Sequence, residues 1–187
     1  MMFRVISKLT HRLQFNVHPL FISVFNQSNL AMPEKTAIVL LADGAEEMEA
    51  VISIDVLRRA EIRCVVALVG VSGGIAKCSR GVNIAGDVSI AEALSMGPYD
   101  AVVLPGGMPG AKTLAADESV KKLLVEQYKE GRIVAAICAA PALVLPAAGV
   151  GEGKRVTCYP SLEGNFEGKY TYVPDEKVVV DGNLVTS

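Results

Sequence analysis

The stretch that most constrains the fold is an uncharged run at residues 133–141. Residues 133–137 are apolar without interruption, which predicts a strand that is buried on both faces. Cys138 and small residues follow, and Pro141 then begins a helical pattern, because proline fits the first turn of a helix. The run therefore predicts a strand that turns sharply into a helix, with a thiol at the turn.

The chemistry of Cys138 has two interpretations on this run alone. Free N–H groups and the dipole at a helix N-terminus favour a thiolate. Cysteine is also among the residue types that are most often buried, so an inert thiol in the core is the alternative. The residues that the fold brings close to this turn decide between a reactive thiolate and an inert thiol.

Similar apolar runs alternate with helical patterns along the chain, which predicts an α/β fold with a mainly parallel sheet covered on both faces. The other buried strands are expected at residues 36–41, 63–69 and 101–104. The C-terminal ends of parallel strands share one edge of the sheet. Three loops are therefore expected in one crevice, at residues 43–49, 105–110 and 137–141.

Residues 105–110 contain two prolines and three glycines, which predicts a loop that continues neither strand nor helix. Glycines let the backbone approach a ligand closely and point N–H groups at it. In the functional interpretation, the N–H groups of Gly106, Gly107 and Ala139 bind a developing oxyanion. The alternative is a plain turn.

Three glutamates follow the first strand, at Glu46, Glu47 and Glu49. Glu46 and Glu47 fit ordinary acids in the first turn of a helix, where they complement the dipole. Glu49 is flanked by Met48 and Ala50, and a carboxyl group in apolar surroundings has a raised pKa and can stay protonated. A protonated Glu49 could hydrogen-bond a thiolate and move a proton; a partly solvated surface residue is the alternative.

Composition excludes several classes of site. The only histidines are His11 and His18, near the N-terminus, so the remaining chain lacks the imidazole that Cys-His hydrolases and most catalytic zinc sites use. None of the four cysteines forms a Cys-x-x-Cys pair. We therefore expect no metal and no cofactor, and a reducing compartment in which the cysteines stay free.

Charge and hydropathy restrict the partners. Beyond the first residues, acids outnumber bases and no Lys/Arg cluster occurs, which argues against direct nucleic-acid binding. No uninterrupted apolar run approaches the roughly 20 residues of a membrane span.

Residues 1–32 differ from the rest and are interpreted as a leader or disordered extension, followed by a single domain at residues 33–187. Arg4, Lys8 and Arg12 recur every fourth residue in a segment without acids, which resembles a mitochondrial transit peptide. The alternative is an unstructured extension, with Met32 as the functional start.

Six motifs, in order and without large gaps, resemble the parkinsonism-associated protein deglycase (DJ-one) family of the ThiJ/PfpI superfamily. They are L-A-D-G-A-E-E-M-E at residues 41–49, D-V-L-R-R-A at 55–60, K-C-S-R at 77–80, V-V-L-P-G-G at 102–107, A-A-I-C-A-A-P at 135–141 and D-G-N-L-V-T-S at 181–187. The resemblance implies a flavodoxin-like three-layer α/β sandwich with a strand–Cys–helix nucleophile elbow. It also implies a homodimer.

The resemblance assigns roles to particular residues. Cys138 would be the nucleophile and the oxidation-sensitive thiol, and Glu49 its protonated partner. Gly107 and Ala139 would supply backbone donors. The arginine that matches Arg80 pairs across the dimer with the glutamate that matches Glu46, near the active site.

The implied function is cofactor-independent detoxification of reactive dicarbonyls and of early glycation adducts on proteins, as a glutathione-independent glyoxalase or protein deglycase, with protection against oxidative stress. The alternative is a redox sensor or chaperone whose cysteine is oxidised to sulfinate, with little turnover. A cytoplasmic location with mitochondrial and nuclear pools is expected.

The chain departs from the family pattern at two places. Tyr159 stands where the family often has a histidine, and tyrosine is a poor base near neutral pH. The family continues past the T-S at Ser187 with an R-G-P-G-T loop and terminal helices, so reduced stability or activity is expected of a form that ends there.

Overall fold

Four apolar runs form the centre of a seven-stranded sheet in the computed structural model, which describes residues 34–187. They are parallel strands: β1 (Thr36–Leu41), β2 (Arg63–Leu68), β6 (Ala101–Leu104) and β7 (Ile133–Ala136). Alternate residues of β1 enter different core clusters, Ile38 and Leu40 one and Ala37 and Val39 another. Both faces of the sheet are therefore buried, as a continuous apolar strand requires.

Shorter strands complete the sheet, whose order is β10-β11-β7-β6-β1-β2-β5. The turn residues Asp181-Gly182-Asn183 predict a hairpin, and β10 and β11 confirm it as an antiparallel pair. Two small sheets lie outside the main one. One is the antiparallel pair of β3 with β4, and the other is the parallel pair of β8 with β9. The remaining bounds are β3 (Ile75–Lys77), β4 (Asn83–Ala85), β5 (Val88–Ser89), β8 (Arg155–Val156), β9 (Thr171–Tyr172), β10 (Val179–Asp181) and β11 (Leu184–Thr186).

Helices cover both faces of the sheet. Leu57 packs on one face, whereas Leu114, Leu124 and Leu145 pack on the other. Ser89 caps α2, as its position before a helical pattern predicts, and the structure shows a reciprocal capping box with Glu92. The helices are α1 (Glu47–Arg59), α2 (Ile90–Met96), α3 (Met108–Ala116), α4 (Glu118–Lys129), α5 (Ala140–Ala148) and a 3₁₀ helix (Pro160–Phe166).

The prediction that residues 105–110 continue no helix is wrong, because α3 begins at Met108. Pro109 lies in the first turn, where the missing N–H costs nothing. Gly110 is tolerated because α3 approaches the first loop closely: a Cβ there would lie 2.7 Å from the Ala45 nitrogen. Only residues 105–107 form the loop at the end of β6.

No helix within residues 34–187 has the length and apolar character needed to cross a bilayer. The expected leader at residues 1–32 lies outside the described residues.

Candidate active site

The three predicted loops meet at the C-terminal edge of the sheet. The Glu46 N–H donates to the Gly106 carbonyl oxygen over 3.0 Å, which ties the first loop to the second. A Cβ placed on Gly106 would lie 2.7 Å from the Cys138 Cβ and 2.8 Å from Glu49 Oε2. Gly106 therefore lies between the thiol and the carboxyl group, and only a residue without a side chain fits there.

Cys138 lies at the sharp turn between β7 and α5, with a left-handed φ of 61°. Such a backbone costs a non-glycine residue about 1–3 kcal/mol and persists only where the surroundings hold it. Two backbone hydrogen bonds of 2.8 Å do so: the Cys138 N–H donates to the Ser187 oxygen, and the Cys138 oxygen accepts from the Tyr159 N–H. The turn thus points the side chain into the crevice, where it is half-buried while the other three cysteines are buried.

The surroundings of the Cys138 thiol shift its pKa in both directions. Its burial, together with the charge and hydrogen bond of the Glu49 carboxylate, raises its pKa to about 11. The backbone N–H groups of Gly107 and Ala139 hydrogen-bond the sulfur and lower this pKa, as expected at a helix N-terminus, but by less. A thiolate at neutral pH therefore requires that Glu49 be uncharged.

Glu49 has the environment of a carboxyl group whose pKa lies above its ordinary value. Desolvation raises its pKa, and the nearby Glu46 charge raises it further, against the hydrogen bonds from Gly106 and Cys138. The Gly106 N–H donates to Glu49 Oε2 over 2.6 Å and so orients the carboxyl group toward the sulfur. A single proton held on Glu49 and a thiolate at Cys138 form a consistent pair.

Gly106 is not a free oxyanion donor, contrary to the sequence-based expectation. Its N–H is occupied by Glu49 Oε2. The backbone donors that face the sulfur are Gly107 and Ala139. Gly106 instead contributes in two ways. It has no side chain to separate Glu49 from Cys138, and its N–H binds the Glu49 carboxyl group.

Glu46 and Glu47 position the surrounding loops. Glu46 caps α1, because its Oε2 accepts the Glu49 N–H over 2.7 Å. Glu47 lies in the first turn of α1, as expected, but it is also buried, with 7% exposure, and it accepts from Ser79 Oγ at 2.7 Å and the Arg80 N–H at 2.8 Å. Those partners lie over 30 positions away in the β3–β4 hairpin, so no local signal in the sequence shows the contact.

Arg80 is exposed, and its backbone N–H binds Glu47 within one chain. The pairing of its guanidinium with Glu46 across a dimer stays a prediction. Tyr159, which the resemblance places where the family often has a histidine, is 55% exposed, and its N–H donates to the Cys138 oxygen.

No group of three or more His, Cys, Asp and Glu side chains in the described part of the chain is arranged to hold a metal ion. What the crevice assembles is a thiol, a carboxyl group that favours its protonated form, and two backbone donors. This set suits nucleophilic addition to an electrophilic carbon followed by local proton transfer.

Comparison with known proteins establishes the family and the fold. The sequence model of the DJ-1/PfpI family matches residues 35–187. Protein dj-1beta of Drosophila melanogaster is 50% identical over 154 residues, covering 82% of this chain and 80% of the relative. The Parkinson disease protein 7 homolog of Danio rerio is 43% identical and covers 83% of this chain and 82% of its own.

A more distant relative, named as the glutathione-independent glyoxalase DJR-1.2 of Caenorhabditis elegans, is 35% identical over 82% of this chain and 80% of its own. The crystal structure of Drosophila melanogaster DJ-1beta superposes with a TM-score of 0.79 at 48% identity, covering 82% of this chain and 81% of that one. These matches confirm the predicted flavodoxin-like α/β fold. The chain belongs to the DJ-1/PfpI family.

Proposed function

We propose that this chain is a cofactor-independent glyoxalase and protein deglycase, with Cys138 as the nucleophile. The observation that carries the proposal is the hydrogen-bonded pair of Cys138 and Glu49, held by the Gly106 N–H. The relative named as a glutathione-independent glyoxalase supports dicarbonyls as the substrate class.

The reaction begins when the Cys138 thiolate adds to the aldehyde carbon of methylglyoxal. A C–S bond forms, and the aldehyde oxygen takes the proton that Glu49 holds. The Gly107 and Ala139 N–H groups, which face the sulfur, would stabilise charge on that oxygen while it develops.

The ionised Glu49 then removes the hydrogen of the attacked carbon as a proton, and the electrons form an enediolate with its charge on the former ketone oxygen. The hydroxyl proton of the attacked carbon passes to that oxygen, and return of the proton from Glu49 to the neighbouring carbon gives a 2-hydroxy thioester on Cys138. Water cleaves the thioester, which releases a 2-hydroxy acid and restores the thiol. Early glycation adducts on Cys, Lys or Arg side chains would use the same nucleophile and release the free side chain.

The direct test is turnover of methylglyoxal by Cys138→Ser with a chelator present. Because a hydroxyl without a strong base is a poor nucleophile, kcat/KM is expected to fall at least about 10³-fold. Cys64→Ser, a buried cysteine in β2, is the matched control and should keep full turnover. Full turnover by Cys138→Ser would overturn the proposal.

A redox sensor is the second candidate, favoured because Cys138 is the one cysteine of the chain that is not buried. Peroxide would oxidise it to sulfenate and then sulfinate, and a protonated Glu49 would hydrogen-bond the sulfinate oxygens. Mass spectrometry after mild peroxide treatment should locate oxidation at Cys138. Equal oxidation of all four cysteines would exclude a sensor, and aggregation suppression that survives Cys138→Ser would point to a chaperone.

We also propose that the chain forms a homodimer through α1 and the β3–β4 hairpin. These elements expose Met48 (65%), Val51 (47%), Ile75 (53%) and Val82 (48%). Exposed apolar side chains on adjoining elements are typical of an interface. Val51→Asp should yield monomers in sedimentation analysis, whereas Val125→Asp, on α4 and 41% exposed, should not; a dimeric Val51→Asp protein would place the interface elsewhere.

A further inference from the structure

A second thiol adjoins the nucleophile in the fold, although the two lie far apart in sequence. The Tyr159 N–H donates to the Cys138 oxygen over 2.8 Å, and Cys158 is the residue before Tyr159. Cys158 is 6% exposed and belongs to the core cluster against which the Cys138 side chain packs. The charge of the Cys138 sulfur is felt at Cys158, since it contributes to raising the pKa of the Cys158 thiol.

This backbone bond limits how far apart the two cysteines can be. Each Cα lies about 2.4 Å from the bonded atom of its own peptide group, so the bond of 2.8 Å sets an upper limit of about 7.6 Å between the Cα atoms. The path bends at both ends, which brings the separation toward the range of natural disulfides, about 4.4–6.8 Å. The backbone therefore does not hold the two cysteines too far apart for a disulfide.

The other two cysteines do not share this arrangement. Cys64 lies on β2 in the core cluster of the opposite sheet face, with Leu57 and Ile62. Cys78 lies in the hairpin, where its N–H binds the Val82 oxygen, and it packs in a third cluster. Cys158 is thus the thiol that the fold places beside the nucleophile.

We propose that Cys158 is a resolving cysteine, which forms a reversible disulfide with Cys138 after peroxide has oxidised Cys138 to a sulfenic acid. The proposal rests on the position of the two thiols and does not require glyoxalase turnover. It adds a modification site to the chain and a route by which Cys138 escapes irreversible oxidation.

The chemistry balances in two steps. A peroxide transfers one oxygen to the Cys138 thiolate, the O–O bond breaks, and the departing hydroxide takes a proton from solvent to become water, which leaves a sulfenic acid. The Cys158 sulfur then attacks the Cys138 sulfur: the S–S bond forms, the S–O bond breaks, the Cys158 proton passes to solvent, and the hydroxide departs as water with the proton of Glu49. Glu49 regains a proton from solvent.

The environment of Cys158 controls the rate of the second step, in which Cys158 attacks the Cys138 sulfur. Burial, together with the charges of Glu163 and Cys138, raises the pKa of Cys158 to about 12, so the proton leaves during the attack rather than before it. Burial does not prevent the step, because the target sulfur is the neighbour of Cys158 in the core. Cross-linking is therefore expected to be complete only when peroxide is scarce and second oxidation of Cys138 is slow.

The test uses the full chain treated with one equivalent of hydrogen peroxide, alkylated and digested without reductant. We expect a linked pair of peptides containing Cys138 and Cys158, lighter than the separate peptides by two hydrogen atoms. Dithiothreitol should separate them and restore alkylation of Cys138 by iodoacetamide. Cys138 sulfinate without the linked pair, or an unoxidised Cys138, would overturn the proposal.

Cys158→Ser sharpens the test, with Cys64→Ser as the matched control. Under the same treatment, Cys158→Ser should accumulate Cys138 sulfinate, heavier by two oxygen atoms and not reversed by dithiothreitol, whereas Cys64→Ser should still form the linked pair. Equal sulfinate yields in all three proteins would overturn the proposal. If Cys158→Ser fails to fold, as circular dichroism would show, the wild-type peptide map and its reversal by dithiothreitol decide the question alone.

Discussion

Glu47 and Glu49 lie two positions apart in the first turn of α1, and their pKa values are shifted in opposite directions from the ordinary value of glutamate. Glu47 lies under the β3–β4 hairpin, where the Ser79 hydroxyl and the Arg80 N–H stabilise its charge and hold its pKa below the usual value. Glu49 points to the edge of the sheet, where desolvation outweighs its hydrogen bonds and raises its pKa. The same residue type on the same helix thus accepts hydrogen bonds from a loop in one case and has a raised pKa beside a thiol in the other.

The comparison shows that helix position does not assign the role of an acid. A helix N-terminus favours negative charge at both positions. The deciding factor is what the remaining chain brings to each carboxyl group: polar donors of a hairpin to one, and the apolar end of a parallel sheet to the other.

The largest expected difference between the two glutamates is in turnover. Glu49→Gln removes the proton carrier and should lower kcat with methylglyoxal by about 10²- to 10⁴-fold. Alkylation of Cys138 by iodoacetamide at neutral pH should persist, because glutamine is uncharged and keeps a hydrogen-bonding group beside the sulfur. Steady-state kinetics and alkylation rates measure the two effects.

Glu47→Gln is the matched control, because it makes the same chemical change two positions earlier. It should leave kcat close to that of the wild type and lower the melting temperature by a few degrees, through loss of the hairpin contacts. Equal losses of turnover in both variants would show that the two acids do not have separate roles.

A smaller loss is expected from Gly106→Ala, which tests the contact between Glu49 and Cys138. The added Cβ would lie 2.7 Å from the Cys138 Cβ and 2.8 Å from Glu49 Oε2, so one group must move. A displacement near 1 Å at a reacting centre lowers turnover by about 10²-fold, and overpacking costs about 1–3 kcal/mol. Gly164→Ala, which meets nothing within 4 Å, should change neither kinetics nor urea denaturation.

The contributions of Glu49 and Glu47 to the free energy of unfolding should change with pH in opposite directions. Because the pKa of Glu49 is raised in the folded state, the folded chain binds more protons there, and wild-type stability relative to Glu49→Gln falls as pH rises above about 4.5. The lowered pKa of Glu47 does the reverse: its contribution is full above about 4.5 and is lost as pH falls through the folded value. Urea denaturation of the wild type and both variants from acid to neutral pH measures this, and slopes of one sign would contradict the assignment.

The smallest effect is expected from Ser79→Ala, which removes one of the two donors to Glu47 and leaves the Arg80 N–H in place. The melting temperature should fall by less than in Glu47→Gln, and turnover should not change. Ser161→Ala, at the start of the 3₁₀ helix, serves as a comparison for the loss of a surface hydroxyl. A loss of turnover in Ser79→Ala alone would link the hairpin to catalysis.

Much of the architecture could be predicted from periodicity. The buried strands, the hairpin at residues 181–183, the helix cap at Ser89 and the turn at Cys138 follow from local patterns of apolar, turn and capping residues. The start of α3 was not predictable in this way. Its Pro-Gly composition favours a loop locally, and close packing of Gly110 on Ala45 makes the helix acceptable.

Some features of the candidate site could likewise be predicted from the sequence, and others could not. Strand order and the parallel-sheet rule suffice to bring the glutamates, the glycines and the thiol to one edge. The use of the Gly106 N–H by Glu49, the burial of Glu47 under the hairpin and the position of Cys158 beside Cys138 depend on contacts between residues at least 20 positions apart. Such contacts have no local signature.

The sequence by itself determined which elements form, where the thiol lies relative to a strand and a helix, and which chemistry lacks a histidine to support it. Only the tertiary structure decided which glutamate has a raised pKa and which backbone donors face the sulfur. It also decided which second thiol lies within reach. The physical reason is that secondary structure follows from local dihedral preferences and hydrophobic periodicity, whereas a pKa or a thiol pair depends on the distances, desolvation and donors that distant segments supply once they have packed.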